Sequence, residues 1–310
     1  MSRQERVLRR PCCWTAATFA TAVMLMVAFA CGTATVVARA LRAAAEKNHR
    51  RCDLAEARAA QAESLVISLA RSVDKAAGRP VRVALFRDEA SCDPPEELDG
   101  LRAGLGSTWI WEQVSPADVR TGALEPFDVV VFPGGRGSRQ LAALGGDGKR
   151  AVRDYVERGG GYVGICGGAF LATHRYLGLV DIDVLTGDRT IPGVGRVSLM
   201  ARGPATVRME LTPAGLRALD GPLGGVPVEF AGGPIFLNAE GDDHPSVPLA
   251  RYRTEVWNYD CQRGTMLGSP SILAARRGRG KVIIFSPHPE RTAGLGPLLR
   301  RAILAAAREP

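Results

Sequence analysis

The chain has 310 residues, 46% of them hydrophobic, and a formal net charge of +8. That supports one large domain plus an appendage. Nine of the 40 basic residues and two of the 32 acidic ones fall within residues 1–52, leaving 31 basic and 30 acidic groups for everything after. A DNA-binding domain carries its own basic face; this one does not, so nucleic acid is excluded as a partner and the charge points to a membrane.

Between Arg10 and Arg39 no residue is charged, and Ala22-Val-Met-Leu-Met-Val-Ala-Phe-Ala30 is strongly apolar. About 20 such residues span a bilayer as a helix, so residues 1–38 are expected to form a basic region and an uncleaved anchor with the membrane as partner through residues 11–38. A cleaved signal peptide is the rival reading, since Ala28-Phe29-Ala30 fits the small-x-small rule; a lipoprotein cut before Cys31 is a third. The order of basic then apolar segments places the α/β domain outside the cytoplasm in a single-pass arrangement. Residues 39–79 then read as a helical stalk. Small or apolar residues recur at Ala55, Ala59, Ala62, Val66, Leu69 and Val73 in heptad steps. That seam either pairs as a weak homodimer or packs on its own domain.

From Val81 strands and helices alternate, and residues 80–310 form the main domain. Strands are expected at Val81–Phe86, from Thr108, at Phe127–Phe132 and at Tyr162–Ile165, with helices at Glu96–Leu105, from Ser115 to Asp118 and at Asp147–Arg158. This predicts an α/β fold with a doubly wound, mostly parallel sheet of flavodoxin type. After Thr173 short β-like pieces at 197–211, 226–236 and 250–256 predict an antiparallel β extension. The chain returns through strands at 272–275 and 282–285 and closes with a helix at 295–308.

Three strand ends carry chemistry. Phe127-Asp-Val-Val-Val-Phe-Pro133-Gly134-Gly135 is a strand followed at once by Pro-Gly-Gly, which leaves backbone N–H groups free for an oxyanion; an ordinary βα turn has the same look. Tyr162-Val-Gly-Ile-Cys166-Gly167-Gly168 is a strand, a sharp turn and the start of a helix. Small residues flank the cysteine, as a strained nucleophile elbow demands, and the helix N-terminus favours a thiolate. A buried structural cysteine is the alternative. Lys281-Val-Ile-Ile-Phe-Ser-Pro-His288-Pro-Glu290 ends a buried strand with one of four histidines in the chain, and Glu290 can fold back to orient the imidazole.

Together these segments resemble the class I glutamine amidotransferase-like superfamily, and within it the domain at the N-terminus of some biotin-protein ligases. The resemblance rests on Gly164-Ile-Cys-Gly-Gly-Ala-Phe-Leu-Ala172, Tyr176-Leu-Gly-Leu179, Gly232-Gly-Pro234 and Ser286-Pro-His-Pro-Glu290, and covers roughly residues 81 to 308. It implies Cys166 as nucleophile, His288 and Glu290 as the rest of a triad, and Gly134, Gly135 and Gly167 as oxyanion donors. The chain departs from the family at Phe230-Ala231, where members tend to carry tyrosine-asparagine.

The expected activity is that of a membrane-tethered, cysteine-nucleophile amidase or hydrolase acting through a thioester on a small amide or peptide. A binding or scaffold module that keeps the fold without turnover is the alternative. No cofactor is expected. Gly145-Gly-Asp-Gly-Lys149 lacks the first glycine and final Ser/Thr of a phosphate loop, Gly193-Val-Gly195 is not completed into a dinucleotide fingerprint, and no Cys/His spacing suits zinc. Cys92 and Cys261 are candidates for a pair if the compartment is oxidising.

Overall fold

The computed structural model describes residues 34–77, 79–93, 109–237 and 246–309. Strand β1 (Val81–Phe86) pairs in parallel with β2 (Trp109–Val114) and β3 (Val129–Phe132), and β3 continues to β4 (Gly161–Ile165). Strand β11 (Gly280–Phe285) lies parallel on the other side of β4. The parallel half therefore runs β2-β1-β3-β4-β11, the strand order of flavodoxin-type sheets. From β11 the sheet continues antiparallel through β10 (Pro270–Arg277), β9 (Val247–Tyr252), β7 (Ala205–Leu211) and β8 (Val226–Phe230), making nine strands among the described residues. A separate hairpin joins β5 (Asp188–Ile191) and β6 (Gly195–Ser198). The fold is thus mixed α/β around one large sheet in which most strands share a direction.

The central strands read Val-Val-Val-Phe and Val-Ile-Ile-Phe because both of their faces are covered. On one face lie α2 (Pro116–Arg120), α3 (Gly137–Glu157) and α4 (Gly167–Ala172), whose Val119, Leu144, Val152 and Leu171 join Phe86, Phe132 and Tyr162 in one cluster. Those three rings stack across β1, β3 and β4 with centroids 4.5 and 5.2 Å apart. The other face is covered by α6 (Gly296–Ala306) and the end of α1 (Ala34–Ala77), with α5 (Pro213–Leu219) over the antiparallel extension. Ser115 and Asp118 form a capping box on α2 as their spacing predicts.

Two local features differ from the expectation. Helix α3 begins ten residues earlier than the Asp147 start, because the glycine-rich run is only a kink at Gly145 (φ 64°) within it. The 197–211 segment is split into β6 and β7. The helix expected at Glu96–Leu105 lies outside the described residues.

Residues 61–310 form one compact unit. Its core includes Leu65, Val66, Leu69, Val73 and Ala76 of α1, so three residues of the heptad seam are buried within the domain itself. The last turns of α1 are tied to the sheet by charge. Lys281, nearly inaccessible at the start of β11, donates to Ser72 and to Glu309 (3.0 Å), which also receives Lys75 (2.8 Å). Burial pulls the Lys281 ammonium down, and Glu309 offsets part of that.

The single-pass membrane expectation is corrected here. Among the described residues no helix is long and apolar enough to cross a membrane. Residues 11–33, most of the proposed anchor, lie outside the described residues; from Ala34 the chain is already in α1, which meets Arg39, Arg42 and Lys47 within four turns. Charges at that density are incompatible with the hydrocarbon core.

Leu69 is fully buried on α1. Leu69→Ala should lower stability by about 2–5 kcal/mol, seen as a drop in the urea midpoint with an unchanged slope. A change below about 0.5 kcal/mol, the range of surface positions, would remove this part of α1 from the core.

Candidate active site

Cys166 stands where β4 meets α4, at φ 49° and ψ −99°. This positive φ is costly for any residue with a side chain, on the order of 1–3 kcal/mol. The surroundings enforce it. The Cys166 N–H donates to Phe285 of the adjacent β11 (2.8 Å), and its carbonyl already accepts from Ala169 and Phe170 of α4. The Tyr162 hydroxyl donates to the Gly168 carbonyl (2.7 Å), closing the turn from beneath. A Cβ on Gly168 would sit 2.2 Å from the Phe132 carbonyl oxygen, so only glycine lets α4 approach β3 this closely. The thiol points to the Ala231 carbonyl (3.9 Å), at the start of the Gly-Gly-Pro segment.

The directions of the two N–H groups expected to hold an oxyanion follow from peptide planarity. The Gly134 carbonyl accepts from the Asp93 N–H (3.0 Å) and from the Gln140 side chain (3.4 Å). The N–H of Gly135 belongs to the same trans peptide and therefore points the opposite way. Gly135 has φ 122°, and its backbone lies against Gly167, where a Cβ would come within 2.4 Å of the Gly135 carbonyl oxygen. By the same logic the Cys166 carbonyl is turned into α4, so the Gly167 N–H faces outward from the first turn. Neither N–H has an acceptor among the described residues. Gly134 plays a different part: a Cβ there would lie 2.9 Å from His288 Cε1, so the loop packs against the imidazole edge.

His288 follows β11 and is 1% exposed, with Glu290 at 2%. Its Nδ1 meets Glu290 Oε1 at 2.6 Å. The other ring nitrogen, Nε2, is buried and makes no close hydrogen bond, although Cys166 interacts with the ring. Such a contact is looser than a formed hydrogen bond, as is common before substrate arrives. Burial is the largest influence on the imidazole and disfavours its charge. The contacts with Cys166 and Glu290 together outweigh it and hold the pKa at about 10. The ring therefore carries its proton at neutral pH.

All six residues singled out from the sequence, Cys166, His288, Glu290, Gly134, Gly135 and Gly167, come to the carboxyl ends of β3, β4 and β11. Three further contributors had no sequence signal. Asp93 lies in the loop after β1. Glu229 on β8 accepts the His288 N–H at its backbone oxygen (2.8 Å), and Tyr252 on β9 donates to Ser286 (2.7 Å). Each depends on the antiparallel extension or on a loop with no periodicity. Phe230, where the family pattern departs, is fully buried and packs edge-on against Tyr252 at 6.1 Å. Cys92 and Cys261 are both free thiols, which corrects the idea that they pair. No group of His, Cys, Asp and Glu among the described residues is arranged to hold a metal.

Comparison with known proteins agrees with this geometry at the level of the fold and of one segment. A structure of PurLQS from Thermotoga maritima superposes with a TM-score of 0.50 at 16% identity, covering 72% of this chain and 97% of that one. An uncharacterized protein of Chlamydia muridarum is 32% identical over 175 residues, 54% of this chain and 61% of that protein. The biotin–protein ligase of Schizosaccharomyces pombe is 28% identical over 185 residues, 55% of this chain and 27% of the ligase. The chain thus spans less than two thirds of either relative. Residues 98–192, which hold Gly134, Gly135, Cys166 and Gly167, match the family described as biotin-protein ligase, N terminal.

Proposed function

We propose that this domain is a thiol-dependent acyl-transfer hydrolase acting on an amide or ester carbonyl. The observation that carries the reading is the convergence of a strained cysteine, two N–H groups without acceptors among the described residues and a buried His–Glu pair on one end of one sheet. Each group has a step. The Cys166 sulfur attacks the carbonyl carbon, and the oxygen gathers charge between the Gly135 and Gly167 N–H groups. The tetrahedral adduct collapses, the C–N or C–O bond breaks, and the leaving group takes the proton from His288 Nε2. Water then attacks the thioester while His288 takes its proton, the C–S bond breaks, and a carboxylic acid leaves. Glu290 holds the ring by its other nitrogen and offsets its charge throughout. The biotin-protein ligase N-terminal likeness over residues 98–192 and the fold shared with PurLQS are in keeping with this reading. The substrate class is a small amide or a peptide.

The thiols give a direct test. At neutral pH iodoacetamide should modify Cys166 well before Cys92, whose thiol is pushed up by burial. His288→Ala removes the basic partner of the thiol and should slow the reaction at Cys166 by about tenfold or more. Equal rates at the two cysteines, unmoved by that substitution, would make Cys166 structural and the domain a binding module.

The imidazole gives a second test. Because its pKa is raised to about 10, the His288 ring should remain protonated from pH 6 to 8 in a proton NMR titration. Glu290→Gln removes a hydrogen-bonded anion, so the midpoint should fall toward the ordinary value of about 6.5. A wild-type midpoint near 6.5 would remove the paired-acid role assigned to the ring.

A further inference from the structure

The residue after Glu290 belongs to none of the motifs, yet its side chain reaches three acids on three separate segments. Arg291 Nη2 donates to Asp93 Oδ2 (2.7 Å) on the loop after β1, and Nη1 to Glu229 Oε1 (3.3 Å) on β8. Its Nε lies 3.8 Å from Glu290 Oε1, the oxygen that also meets His288. The Arg291 side chain is only 20% exposed and Glu290 is buried, while Asp93 and Glu229 reach solvent on the outer side. Its planar fork holds several acceptors in fixed directions at once, which a lysine cannot do.

What the acids do is set by their neighbours. The Asp93 N–H donates to the Gly134 carbonyl (3.0 Å), the bond that fixes the direction of the Gly135 N–H in the same peptide plane. The Asp93 carboxylate fills the space where a Gly134 Cβ would be, its Oδ2 2.0 Å from that point, against the same glycine that touches His288 Cε1. Glu229 accepts the His288 N–H and donates its own N–H to Thr292 Oγ1 (3.0 Å), which in turn donates to the His288 carbonyl (2.8 Å). Arg291 thus sits where the oxyanion loop, the catalytic turn and the extension meet.

We propose that Arg291 is a positioning residue, a clamp that keeps Glu290 behind His288 and, through Asp93, seats the oxyanion loop on the same imidazole. The clamp couples the triad to the oxyanion donors, so neither is correctly placed alone. It rests on the hydrolase reading for its purpose but on geometry for its existence.

The test uses the full chain with Arg291→Gln, Arg291→Lys and Asp93→Asn. Three quantities are measured at Cys166 and His288: the rate of alkylation by iodoacetamide, the rate of acylation by p-nitrophenyl acetate, and the ring's titration midpoint by NMR. Alkylation forms no oxyanion and acylation does, so the two rates separate nucleophile from oxyanion loop. In Arg291→Gln, Glu290 is released and the midpoint should fall by about a unit, with both rates down about tenfold. Arg291→Lys should recover part of this, since it keeps the charge and loses the fork. Asp93→Asn frees the oxyanion loop and should slow acylation about tenfold more than alkylation. Removing a bystander cation from beside an imidazolium raises its midpoint, so a rise in Arg291→Gln, or no change, overturns the clamp. Equal slowing of the two reactions in Asp93→Asn overturns it as well, and that variant decides the matter if Arg291→Gln does not fold. If wild-type Cys166 is alkylated but never acylated, the hydrolase reading falls while the NMR midpoints still judge the clamp.

Discussion

Cys166 is held at a positive φ that its own side chain opposes, and much of the surrounding structure serves to keep it there. A strain of about 1–3 kcal/mol persists only where the neighbours leave the backbone no alternative. Here β11 takes the N–H, α4 takes the carbonyl, and the Tyr162 hydroxyl fastens the helix start to the strand below. The glycines around it are consequences of that requirement: the elbow brings α4 against β3 and the Gly135 backbone against Gly167 with no room for a side chain. Relaxing the elbow would also re-aim the Gly167 N–H, because it shares a peptide plane with the Cys166 carbonyl that α4 holds.

The second constraint is the burial of a charged pair. His288 and Glu290 are almost wholly removed from water, where an isolated charge would cost several kcal/mol. The pair is tolerable because each partner compensates the other and because Arg291 stands beyond Glu290. The arginine in turn is balanced by Asp93 and Glu229. Charge alternates outward from the thiol until the last members reach solvent. This gives the antiparallel extension a role beyond completing the core: β8 supplies Glu229, the segment after it supplies the Ala231 carbonyl beneath the thiol, and β9 supplies Tyr252. The parallel half alone would leave the His288 turn without an outer wall.

How much of this was legible in the chain follows from the range of the forces involved. Strands such as Val129–Phe132 and Gly280–Phe285 announce themselves because burial on both faces demands continuous apolar runs, and the capping box at Ser115 and Asp118 is a four-residue matter. The elbow, the Pro-Gly-Gly turn and the His-Pro-Glu turn are local sterics written in adjacent residues, so Cys166, His288, Glu290 and the three glycines could be singled out before any contact was seen. The apolar stretch near the N-terminus, by contrast, pointed to a membrane on hydropathy alone, and the charged helix that follows from Ala34 does not carry that reading forward.

Tertiary structure alone decided the rest. Nothing in the sequence pairs Arg291 with Asp93, 198 positions away, or with Glu229, 62 positions away; a charge next to a motif looks like any solvated charge until the fold brings its partners. The heptad spacing of Val66, Leu69 and Val73 specified one apolar stripe but not what covers it, because a stripe is equally suited to a second helix or to a sheet, and the fold chose the sheet. The sequence by itself determined which residues form the elbow and the two glycine- and proline-marked turns, since local strain is a property of neighbours along the chain. The three-dimensional arrangement decided what holds them in place, since buried charges are balanced across space.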